Sequence, residues 1–453
     1  MVRGGEPATQ KRDREGAWGD DGDHGRGEAY PGRVRKKAVV AAVIGNFVEW
    51  YDFTIYGYLA VVIAPLFFPA ENRLVSLMAT FAVFGVAFLM RPVGALFFGN
   101  IGDKIGRRST LSAVILIASG ATFLIGLLPS YETIGILAPL LLVLARLVQG
   151  FAVGGEFGGA TAFMVEYAPD ERRGLYGSWQ FFTQATSLVA GLLIAAGLTA
   201  AVSEEALYSW AWRVPFLIAL PLGLIGLYMR LRLEDTPAFR AVQEHHEIER
   251  APLLESLRTH GKDLLKVVGL TWPLTGLVYL LIFAPTYLSE QLDVPLSLGY
   301  TAVILGTSSW AVVVLLSALL SDRVGRRKPF LLASPVLAAV TVVPVFMMLQ
   351  SGSFPVITLA LVIVGSVVGI SSGVYAAAMC EVFPTNVRYS SLSLGYSVAV
   401  SIFGGTTPFI FTALLAATGN PLSPAFYLVV AGLAGLVAAL AFPETAREPL
   451  KET

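Results

Sequence analysis

The stretch GNIGDKIGRR at positions 99–108 returns in nearly the same form as LSDRVGRRK at positions 320–328. Each copy is a short charged turn between two long apolar segments. The aspartates of the two copies, Asp103 and Asp322, lie 219 positions apart, close to half of the 453 residues. The chain therefore predicts one structural unit used twice, an organisation that is more typical of transporters than of enzymes.

The composition is typical of an integral membrane protein. Hydrophobic residues make up 55% of the chain and charged residues only 14%, whereas a soluble protein carries roughly 25% charged residues. The formal net charge is zero, which argues against an overall basic field for binding nucleic acid. The single cysteine, Cys380, lies in an apolar run and excludes an intrachain disulfide.

Apolar windows long enough to cross about 30 Å of hydrocarbon recur twelve times along the chain. They predict transmembrane helices near residues 38–67, 77–98, 109–128, 136–165, 175–201, 212–231, 264–287, 298–320, 330–349, 356–383, 390–417 and 424–442. The run from Glu166 to Arg173 also aligns with the run from Glu381 to Arg388 at a constant offset of 215. The predicted fold class is all-α integral membrane, with twelve transmembrane helices in two six-helix pseudo-repeated bundles.

Basic residues are concentrated in alternate connections between these segments. One set includes the two copied turns, whereas the other set carries almost nothing basic except Arg73. Because cationic loops resist translocation, we expect the copied turns and both termini on the cytoplasmic side of the cell membrane. The predicted divisions are a disordered cytoplasmic N-terminal tail at 1–36, an N-terminal bundle at 37–231, a cytoplasmic linker at 232–263, a C-terminal bundle at 264–443 and a short cytoplasmic tail at 444–453.

The predicted first helix carries two carboxylates, Glu49 and Asp52, within an otherwise apolar span. At 1.5 Å per residue from Lys37 they lie about 18 and 22 Å deep, near the middle of the hydrocarbon. Their spacing of three residues puts them on one helix face, where we expect them to look into a cavity between the bundles. Burial and mutual repulsion favour the protonated form, so both are candidate proton-coupling residues. The alternative is a buried ion pair that only fixes helix packing.

Two arginines, Arg91 and Arg146, lie in apolar runs of the predicted helices 2 and 4. A buried guanidinium offers a planar fork to a carboxylate, so either arginine is a candidate for binding the acidic group of a substrate. Arg91 could instead form a gating or helix-packing ion pair. Gln149 and Glu156 on helix 4 complete this part of the predicted site. Arg213, at the opposite end, is expected to be an interfacial anchor or a gate.

Further polar and aromatic side chains recur at helical spacing on other predicted helices. The candidates for contact with substrate are Gln180, Gln184, Tyr279, Phe283, Tyr375 and Tyr396. The alternative for each aromatic residue is ordinary packing against a neighbouring helix. The four histidines lie in polar segments, and no phosphate-loop motif is present, so the sequence does not favour a membrane enzyme or a metal site.

The two copied turns predict a cytoplasmic gate. Their glycines permit tight turns, their aspartates can cap a helix N-terminus, and their arginines can reach a carboxylate on a neighbouring helix. Such charge clusters form when that end closes and break when it opens. The candidate gate residues are Asp103, Arg107, Arg108, Glu166, Asp322, Arg326, Arg327, Glu381 and Arg388. The alternative is that the arginines serve only to set the orientation in the membrane.

Several motifs resemble those of the major facilitator superfamily: Gly102-Asp103 with Arg107-Arg108, Arg146 to Gly150, and Pro443-Glu444-Thr445. More narrowly, a second set of motifs resembles the metabolite:proton symporter family over about residues 37–449. These motifs are Gly45 to Tyr58, Arg91-Pro92, Gly154 to Phe157 and Phe383 to Ser390. Within that family, Ser130 to Ile136, Ala211 to Phe216 and Leu233 to Phe239 are most similar to the proline/glycine betaine branch.

The resemblance implies a secondary active transporter that takes up a small zwitterionic osmolyte or organic acid with a proton by alternating access. The alternatives are a proton symporter for α-ketoglutarate, citrate or shikimate, a proton-coupled exporter, and a sensor that binds without transport. No cofactor is expected, because the proton gradient drives transport. The expected partners are a small carboxylate-bearing metabolite, the proton and the lipid bilayer, without nucleic acid, and the protein is expected to be a monomer.

Overall fold

A computed structural model describes residues 32–105, 107–154, 156–166, 168–231 and 259–451 of the chain. Within these ranges the regular structure is helical, and no strand is present. The predicted N-terminal tail and the predicted linker at 232–263 lie mostly outside the described residues.

Twelve helical units follow one another in the described ranges, and we number them α1 to α12. The first six are α1 (Gly32–Tyr58 and Ala60–Phe67), α2 (Arg73–Leu89 and Arg91–Ile105), α3 (Arg107–Leu127), α4 (Leu137–Val153 and Glu156–Glu166), α5 (Arg173–Ala201) and α6 (Val214–Leu231). The second six are α7 (Gly261–Leu292), α8 (Leu296–Val324), α9 (Lys328–Leu349), α10 (Phe354–Val382), α11 (Thr385–Ala399 and Thr407–Thr418) and α12 (Ser423–Ala441). Short helices at Tyr131–Ile134 and Glu204–Ser209 lie in the connections.

Each predicted span coincides with one of these units. In the described part of the chain, ten helices are long and apolar enough to cross a membrane, and the bent pair at α1 supplies an eleventh. The third predicted span corresponds to a shorter apolar helix, Ser112–Leu127, within α3. A segment in lipid must satisfy its backbone hydrogen bonds internally, which an apolar helix does. The prediction of an all-α fold with twelve transmembrane helices is confirmed.

Besides α4, whose two segments flank residues 154–155, three units are interrupted along their length. The two segments of α1 meet at Leu59 with a bend of 64°. The two segments of α2 meet at Met90, directly before Arg91, and α11 passes through a π-helical stretch at Val400–Gly404. Such interruptions loosen the regular backbone ladder and are frequent at functional sites.

The interrupted parts of α2 and α11 lie against each other and join the N-terminal half, α1–α6, to the C-terminal half, α7–α12. A Cβ atom on Gly405 would lie 2.5 Å from the Phe88 ring, so glycine is what permits this close approach. The Ser401 Oγ atom donates to the Phe88 carbonyl oxygen at 2.6 Å. The two halves are therefore in direct contact at these breaks.

The halves also touch at the two ends of the molecule. We call the end with the α8–α9 turn, residues 325–327, the basic end, and the opposite end, with the α1–α2 and α7–α8 connections, the far end. At the basic end Arg388 of α11 lies 2.7 Å from Glu166 of α4. At the far end Arg73 of α2 lies 2.5 Å from Glu290 of α7.

A buried hydrogen bond adds to the closure of the far end. The Tyr300 hydroxyl of α8 donates to the Tyr58 carbonyl oxygen of α1 at 2.7 Å. Helices α5 and α8 pack along each other between the two ends. The residues between the halves are consequently enclosed from both sides.

Candidate functional site

Two buried arginines lie in the interior of the N-terminal half. Arg91 begins the second segment of α2, and Arg146 lies within α4. Arg91 is 3% exposed and Arg146 is fully buried. A guanidinium in such surroundings is strongly unfavourable unless neighbouring groups accept its hydrogen bonds. The two arginines meet this requirement in different ways.

Arg91 is paired with a carboxylate of α1. Its Nη2 atom lies 3.0 Å from Oε1 of Glu49, and both side chains are buried. The guanidinium also lies over the rings of Phe53 at 4.5 Å and Phe88 at 4.8 Å. An aromatic face stabilises a cation above it. The sequence left both a substrate contact and an ion pair open for Arg91, and the structure contains the ion pair.

Arg146 is held by neutral acceptors. Its Nη1 atom donates to Oε1 of Gln149 at 2.5 Å, and its Nη2 atom donates to the Phe84 carbonyl oxygen at 3.3 Å. The guanidinium lies 4.5 Å from the centre of the Tyr56 ring. No carboxylate in the described residues forms an ion pair with Arg146. Its positive charge is therefore available to an anionic group that enters the site.

Gln149 connects Arg146 to α1 and α3. Its Nε2 atom donates to the Asp52 carbonyl oxygen at 2.9 Å and to the Thr122 hydroxyl at 2.8 Å. Its Oε1 atom accepts from Arg146. One amide thus fixes the position of the guanidinium relative to the backbone of Asp52.

Asp52 is fully buried, and neither of its carboxylate oxygens accepts a hydrogen bond from the described residues. The Thr122 hydroxyl lies beside the carboxylate but donates to the Ala118 carbonyl oxygen at 3.0 Å. Asp52 and Glu49 line a small cavity between α1, α3 and α4 whose other walls are apolar. This cavity lies inside the N-terminal half, whereas the sequence led us to expect both carboxylates in a cavity between the halves.

Aromatic rings of the C-terminal half pack against rings of the N-terminal half, among them Phe84 and Phe88, which lie beside the arginines. The ring centre of Tyr279 lies 5.6 Å from that of Phe88 and 5.9 Å from that of Phe84. The Tyr279 hydroxyl is buried, has no hydrogen-bond partner among the described residues, and interacts electrostatically with Arg91 and Arg146. The contact between the halves therefore brings an unpaired hydroxyl towards both cations.

Tyr396 of α11 contributes a second ring at this contact. It stacks on Phe157 of α4 with ring centres 3.5 Å apart, and it interacts electrostatically with Arg91. Together, Tyr279 and Tyr396 are the predicted aromatic residues that the structure brings towards the arginines.

Three other predicted residues make contacts within the packed interior. The Gln180 Nε2 atom donates to Oδ1 of Asn46 at 2.9 Å. The Tyr375 hydroxyl is hydrogen-bonded to the Thr271 hydroxyl, and the Phe283 ring takes part in the aromatic contact between α2 and α7. The contacts of Tyr375 and Phe283 agree with the packing alternative, and a substrate contact stays a prediction for all three residues.

Of the two remaining predicted residues, the structure describes the side chain of Gln184 but not that of Glu156. Gln184 is buried, and its Oε1 atom has no hydrogen-bond partner in the described part of the chain. The side chain of Glu156 lies outside the described residues. In the described ranges no group of three His, Cys, Asp or Glu side chains is arranged to hold a metal ion.

In the C-terminal copy of the charged turn, Arg327 joins two carboxylates. Its Nη1 atom lies 2.6 Å from Oδ1 of Asp322, and its Nη2 atom lies 3.3 Å from Oε1 of Glu381. Glu381 also accepts a hydrogen bond from the Thr445 hydroxyl at 2.7 Å. This cluster ties α8, α10 and the segment after α12 together within one half, whereas the sequence placed Glu381 in a gate between the halves.

Two interactions at the basic end cross between the halves. The Asp322 carboxylate accepts from the backbone N–H groups of Gly174 at 3.0 Å and Leu175 at 2.8 Å, and so caps the N-terminus of α5. The Nη1 atom of Arg388 lies 2.7 Å from Oε1 of Glu166. The basic end is thus closed by a helix cap and an ion pair.

The remaining predicted gate residues are less engaged or lie outside the description. The Nε atom of Arg326 lies 3.8 Å from Oε2 of Glu444, and the Arg326 side chain is 62% exposed. The side chains of Asp103, Arg107 and Arg108 lie outside the described residues, and their contacts stay a prediction.

Sequence reasoning missed the role of the segment that follows α12. Glu444 Oε1 accepts from the backbone N–H of Arg327 at 2.7 Å, at the start of α9. Arg173, which the predicted set did not include, donates to the Glu448 carbonyl oxygen at 2.8 Å. The Pro443-Glu444-Thr445 motif was the one sign of this role in the sequence, and it did not indicate which residues the segment contacts.

The ion pair at the far end was also missed. Arg73 binds Glu290 with two parallel contacts, Nη2 to Oε1 at 2.6 Å and Nε to Oε2 at 2.5 Å. The two residues are 217 positions apart, so no local pattern indicates the pair. Arg213 donates to the carbonyl oxygens of Gly126 at 3.1 Å and Leu128 at 2.5 Å, and so anchors the end of α3.

Comparison with known protein families and sequences gives consistent matches. The Major Facilitator Superfamily matches residues 42–398. The chain is 41% identical over 430 residues to the glycine betaine/proline/ectoine/pipecolic acid transporter OusA of Dickeya dadantii, a match that covers 93% of this chain and 85% of that protein. It is 39% identical to the proline/betaine transporter of Escherichia coli K12 with the same coverage. A putative proline/betaine transporter of Staphylococcus aureus is 38% identical over 92% of this chain and 90% of its own length.

Solved structures share the arrangement of helices. The proton:xylose symporter XylE bound to 6-bromo-6-deoxy-D-glucose superimposes with a TM-score of 0.73 at 16% identity, covering 93% of this chain and 99% of that chain. XylE from E. coli in a partially occluded inward-open conformation gives a TM-score of 0.70 at 16% identity, covering 91% of this chain and 99% of that chain. At this identity the likeness concerns the fold alone.

Proposed function

The chain belongs to the major facilitator superfamily, and on that basis we propose that it takes up a small zwitterionic osmolyte of the proline and glycine betaine class together with a proton. The observation that carries this proposal is the match to the two proline/betaine transporters and the related OusA transporter at 38–41% identity over 92–93% of this chain. The protein is a transporter and not an enzyme. It needs no cofactor in this proposal, because the proton gradient supplies the driving force.

We place the basic end in the cytoplasm and the far end outside the cell membrane. The described connections at the far end and the helix ends beside them carry two arginines, Arg73 and Arg213, whereas residues 323–328 alone carry four basic side chains. Because cationic loops resist translocation, this distribution supports the assignment. Both termini then lie in the cytoplasm.

In the proposed site Arg146 binds the substrate carboxylate. Arg146 makes no ion pair in the described residues, whereas Arg91 is already paired with Glu49. The Tyr279 ring, which packs against Phe84 and Phe88 beside the arginines, offers an aromatic face to the cationic nitrogen of the same substrate. A zwitterion matches this arrangement, because its carboxylate can bind the one available arginine and its cationic nitrogen can lie against the neighbouring rings. A dicarboxylate would require Arg91 to leave Glu49, so the geometry favours the zwitterion.

Asp52 carries the coupled proton in this mechanism. A fully buried carboxylate without hydrogen bonds is far more costly when charged than when neutral. Asp52 and Arg146 interact electrostatically, so a protonated Asp52 leaves the arginine charge uncompensated and strengthens binding of the substrate carboxylate. Loss of the proton weakens that binding again. Proton and substrate thus bind together, whereas Glu49 is held by Arg91 and is the weaker candidate.

The contacts at the two ends provide the alternating access. The basic end opens when the Arg388–Glu166 pair and the Asp322 cap of α5 break, and the far end opens when the Arg73–Glu290 pair breaks. The enclosed state described above lies between these two openings. Rigid movement of one half against the other is sufficient to exchange them.

The first test is transport by the purified protein in liposomes that contain a pH-sensitive dye. Proline, glycine betaine, α-ketoglutarate, citrate and shikimate are added outside in turn. We expect internal acidification with proline or glycine betaine. Acidification with the organic acids alone would replace the zwitterion by an acid substrate, and no acidification with any of the five, from folded protein, would overturn the proposal.

The second test addresses the proton site. Asp52→Asn is expected to abolish accumulation against a gradient while equilibrium exchange of substrate across the membrane persists, because the neutral amide mimics a permanently protonated carboxylate. The matched control is Asp293→Asn in the α7–α8 connection, where the left-handed backbone (φ 51°) is one that asparagine adopts readily. Concentrative uptake by Asp52→Asn would refute the assignment.

A further inference from the structure

The far end is acidic, with one cation at the boundary between the halves. The described connections of this end and the helix ends beside them carry six carboxylates: Glu71, Glu132, Glu204, Glu205, Glu290 and Asp293. They carry two arginines, and Arg213 is directed to the carbonyl oxygens of Gly126 and Leu128. Arg73 has a side chain that is 65% exposed. Among the described residues of this end, Arg73 is thus the cation that a solute approaching from solvent meets.

The Arg73–Glu290 pair is built as a planar fork that spans the two halves. Both contacts, 2.6 and 2.5 Å, join guanidinium nitrogens to carboxylate oxygens, which is the strongest geometry for such a pair. Arg73 begins α2 of one half, and Glu290 lies near the end of α7 of the other. Because opening of the far end separates the halves, it also separates these two charges. Arg73 then keeps Tyr208 and Glu204 of its own half as neighbours but loses the bidentate carboxylate of Glu290, and Glu290 loses Arg73.

We propose that this ion pair is also the first binding site for the substrate. When the far end is open, Arg73 receives the carboxylate of an incoming zwitterion and Glu290 receives its cationic nitrogen. This inference rests on the proposed function and adds a selecting site ahead of Arg146. A zwitterion satisfies both separated charges, whereas a simple anion or cation satisfies one and leaves the other without a partner.

The surrounding charge sharpens this selection. The carboxylates of the far end repel a dianion such as α-ketoglutarate before it reaches Arg73. They do not repel a zwitterion, whose net charge is zero and whose cationic group they attract. The far end thus disfavours the organic acids that share a carboxylate with the proposed substrate.

The effect of removing one charge of the pair distinguishes a pair that only closes the far end from a pair that also binds the substrate. If the pair only closes the far end, its removal changes the transport rate of every solute alike. If the pair binds the zwitterion, removal of one charge changes selectivity, and the direction of that change depends on which charge is removed.

The experiment measures initial uptake of glycine betaine into proteoliposomes in the presence of one of two competitors. Choline is a cation without a carboxylate, and 3,3-dimethylbutyrate is an isostere of glycine betaine with carbon in place of the charged nitrogen. Relative to the unmodified protein, we expect Arg73→Gln to be inhibited less by 3,3-dimethylbutyrate than by choline. We expect Glu290→Gln to be inhibited less by choline than by 3,3-dimethylbutyrate. Each change is expected to be about two- to fivefold, the size of an exposed charge contact. The matched control, Glu132→Gln, removes a carboxylate of the same end that lies in the α3–α4 connection.

The outcomes separate this inference from the function on which it rests. Equal changes for both competitors in both variants would identify a gate without recognition and overturn the inference, while uptake by the unmodified protein would leave the proposed function in place. No glycine betaine uptake by the unmodified protein would overturn the proposed function itself. Since Arg73 is mostly exposed, Arg73→Gln is expected to fold, which thermal unfolding of the purified variant checks.

Discussion

Glu166 and Glu381 occupy equivalent positions in the two sequence repeats but hold different parts of the molecule together. The Glu381 side chain is 2% exposed and is bound inside the C-terminal half by Arg327 and Thr445. The Glu166 side chain is 36% exposed and is bound by Arg388 of the opposite half. One glutamate therefore stabilises a half, and its counterpart stabilises the contact between halves. A repeated sequence places the residues equivalently without deciding their partners.

The arginines of the same repeats show why the bonding is unequal. Arg388 reaches Glu166 across the halves, and a symmetric arrangement would bring Arg173 to Glu381. Glu381 already accepts from Arg327, and Arg173 instead lies 2.5 Å from Asp170 and donates to the segment after α12. Opening of the basic end therefore requires the loss of the Glu166 pair but not of the Glu381 cluster.

The largest effect is expected from Glu381→Ala. The substitution leaves Arg327 buried with one of its two carboxylate partners, and breaking a buried pair costs about 3 kcal/mol or more. We expect a lower free energy of unfolding in a denaturant titration of the purified protein. Glu381→Gln keeps an acceptor for Thr445 and should lose less. Unchanged stability of both variants would remove the distinction between the two glutamates.

Asp322→Ala is expected to have an effect comparable to that of Glu381→Ala, because Asp322 is also a buried partner of Arg327 and belongs to both kinds of contact. The substitution removes the cap of α5 across the halves and one partner of Arg327, and a lost cap costs about 1–2 kcal/mol. Both stability and closure of the basic end should decline. The buried Cys380 thiol interacts with charges of both halves there, so its labelling rate reports the opening. If the variant loses stability but its Cys380 is not labelled faster, Asp322 stabilises the C-terminal half alone and not the contact between the halves.

Glu166→Gln is expected to leave the fold intact and to loosen the closure. The partly exposed pair contributes about 1 kcal/mol or less to stability. Loss of its charge should nevertheless shift the protein towards the state open at the basic end, with faster labelling of Cys380 and slower concentrative uptake. Glu171→Gln, which removes an exposed carboxylate from the neighbouring turn, is the control. Labelling rates that match this control would assign Glu166 no role in closure.

The smallest expected effect is the loss of stability at acidic pH that comes from protonation of Glu444. Partial burial would raise the pKa of Glu444, but the backbone N–H donors of Arg327, Ala446, Lys328 and Thr445 outweigh it and hold the pKa below its usual value. The stabilisation is therefore complete above the usual pKa of about 4.5 and is lost as the pH falls through the lower folded-state value.

Thermal unfolding measures this dependence on pH. Between pH about 5 and pH about 3, the unfolding temperature of the unmodified protein should fall more than that of Glu444→Gln, whose amide does not titrate. Parallel curves for the two proteins would show that the cap of α9 does not depend on the charge of Glu444.

The candidate site could be predicted in its residue types but not in its pairing. Sequence reasoning selected Glu49, Asp52, Arg91 and Arg146 because charge inside an apolar span is costly. A spacing of three residues made Glu49 and Asp52 look alike. In the structure Glu49 pairs with Arg91, and Asp52 accepts no hydrogen bond from the described residues. The difference depends on the packing of α2, α3 and α4 around α1, which spacing along one helix does not contain.

The sequence by itself determined the membrane class, the number of helices and their duplication. These features follow from local composition, because a long apolar segment in lipid can satisfy its backbone only as a helix. The tertiary structure alone decided which charges meet. The pairs of Arg91 with Glu49, Arg73 with Glu290 and Arg388 with Glu166 join residues 42, 217 and 222 positions apart. Such pairs form only when whole helices rotate and pack so that two charged groups come within bonding distance, because the contact acts over a short range.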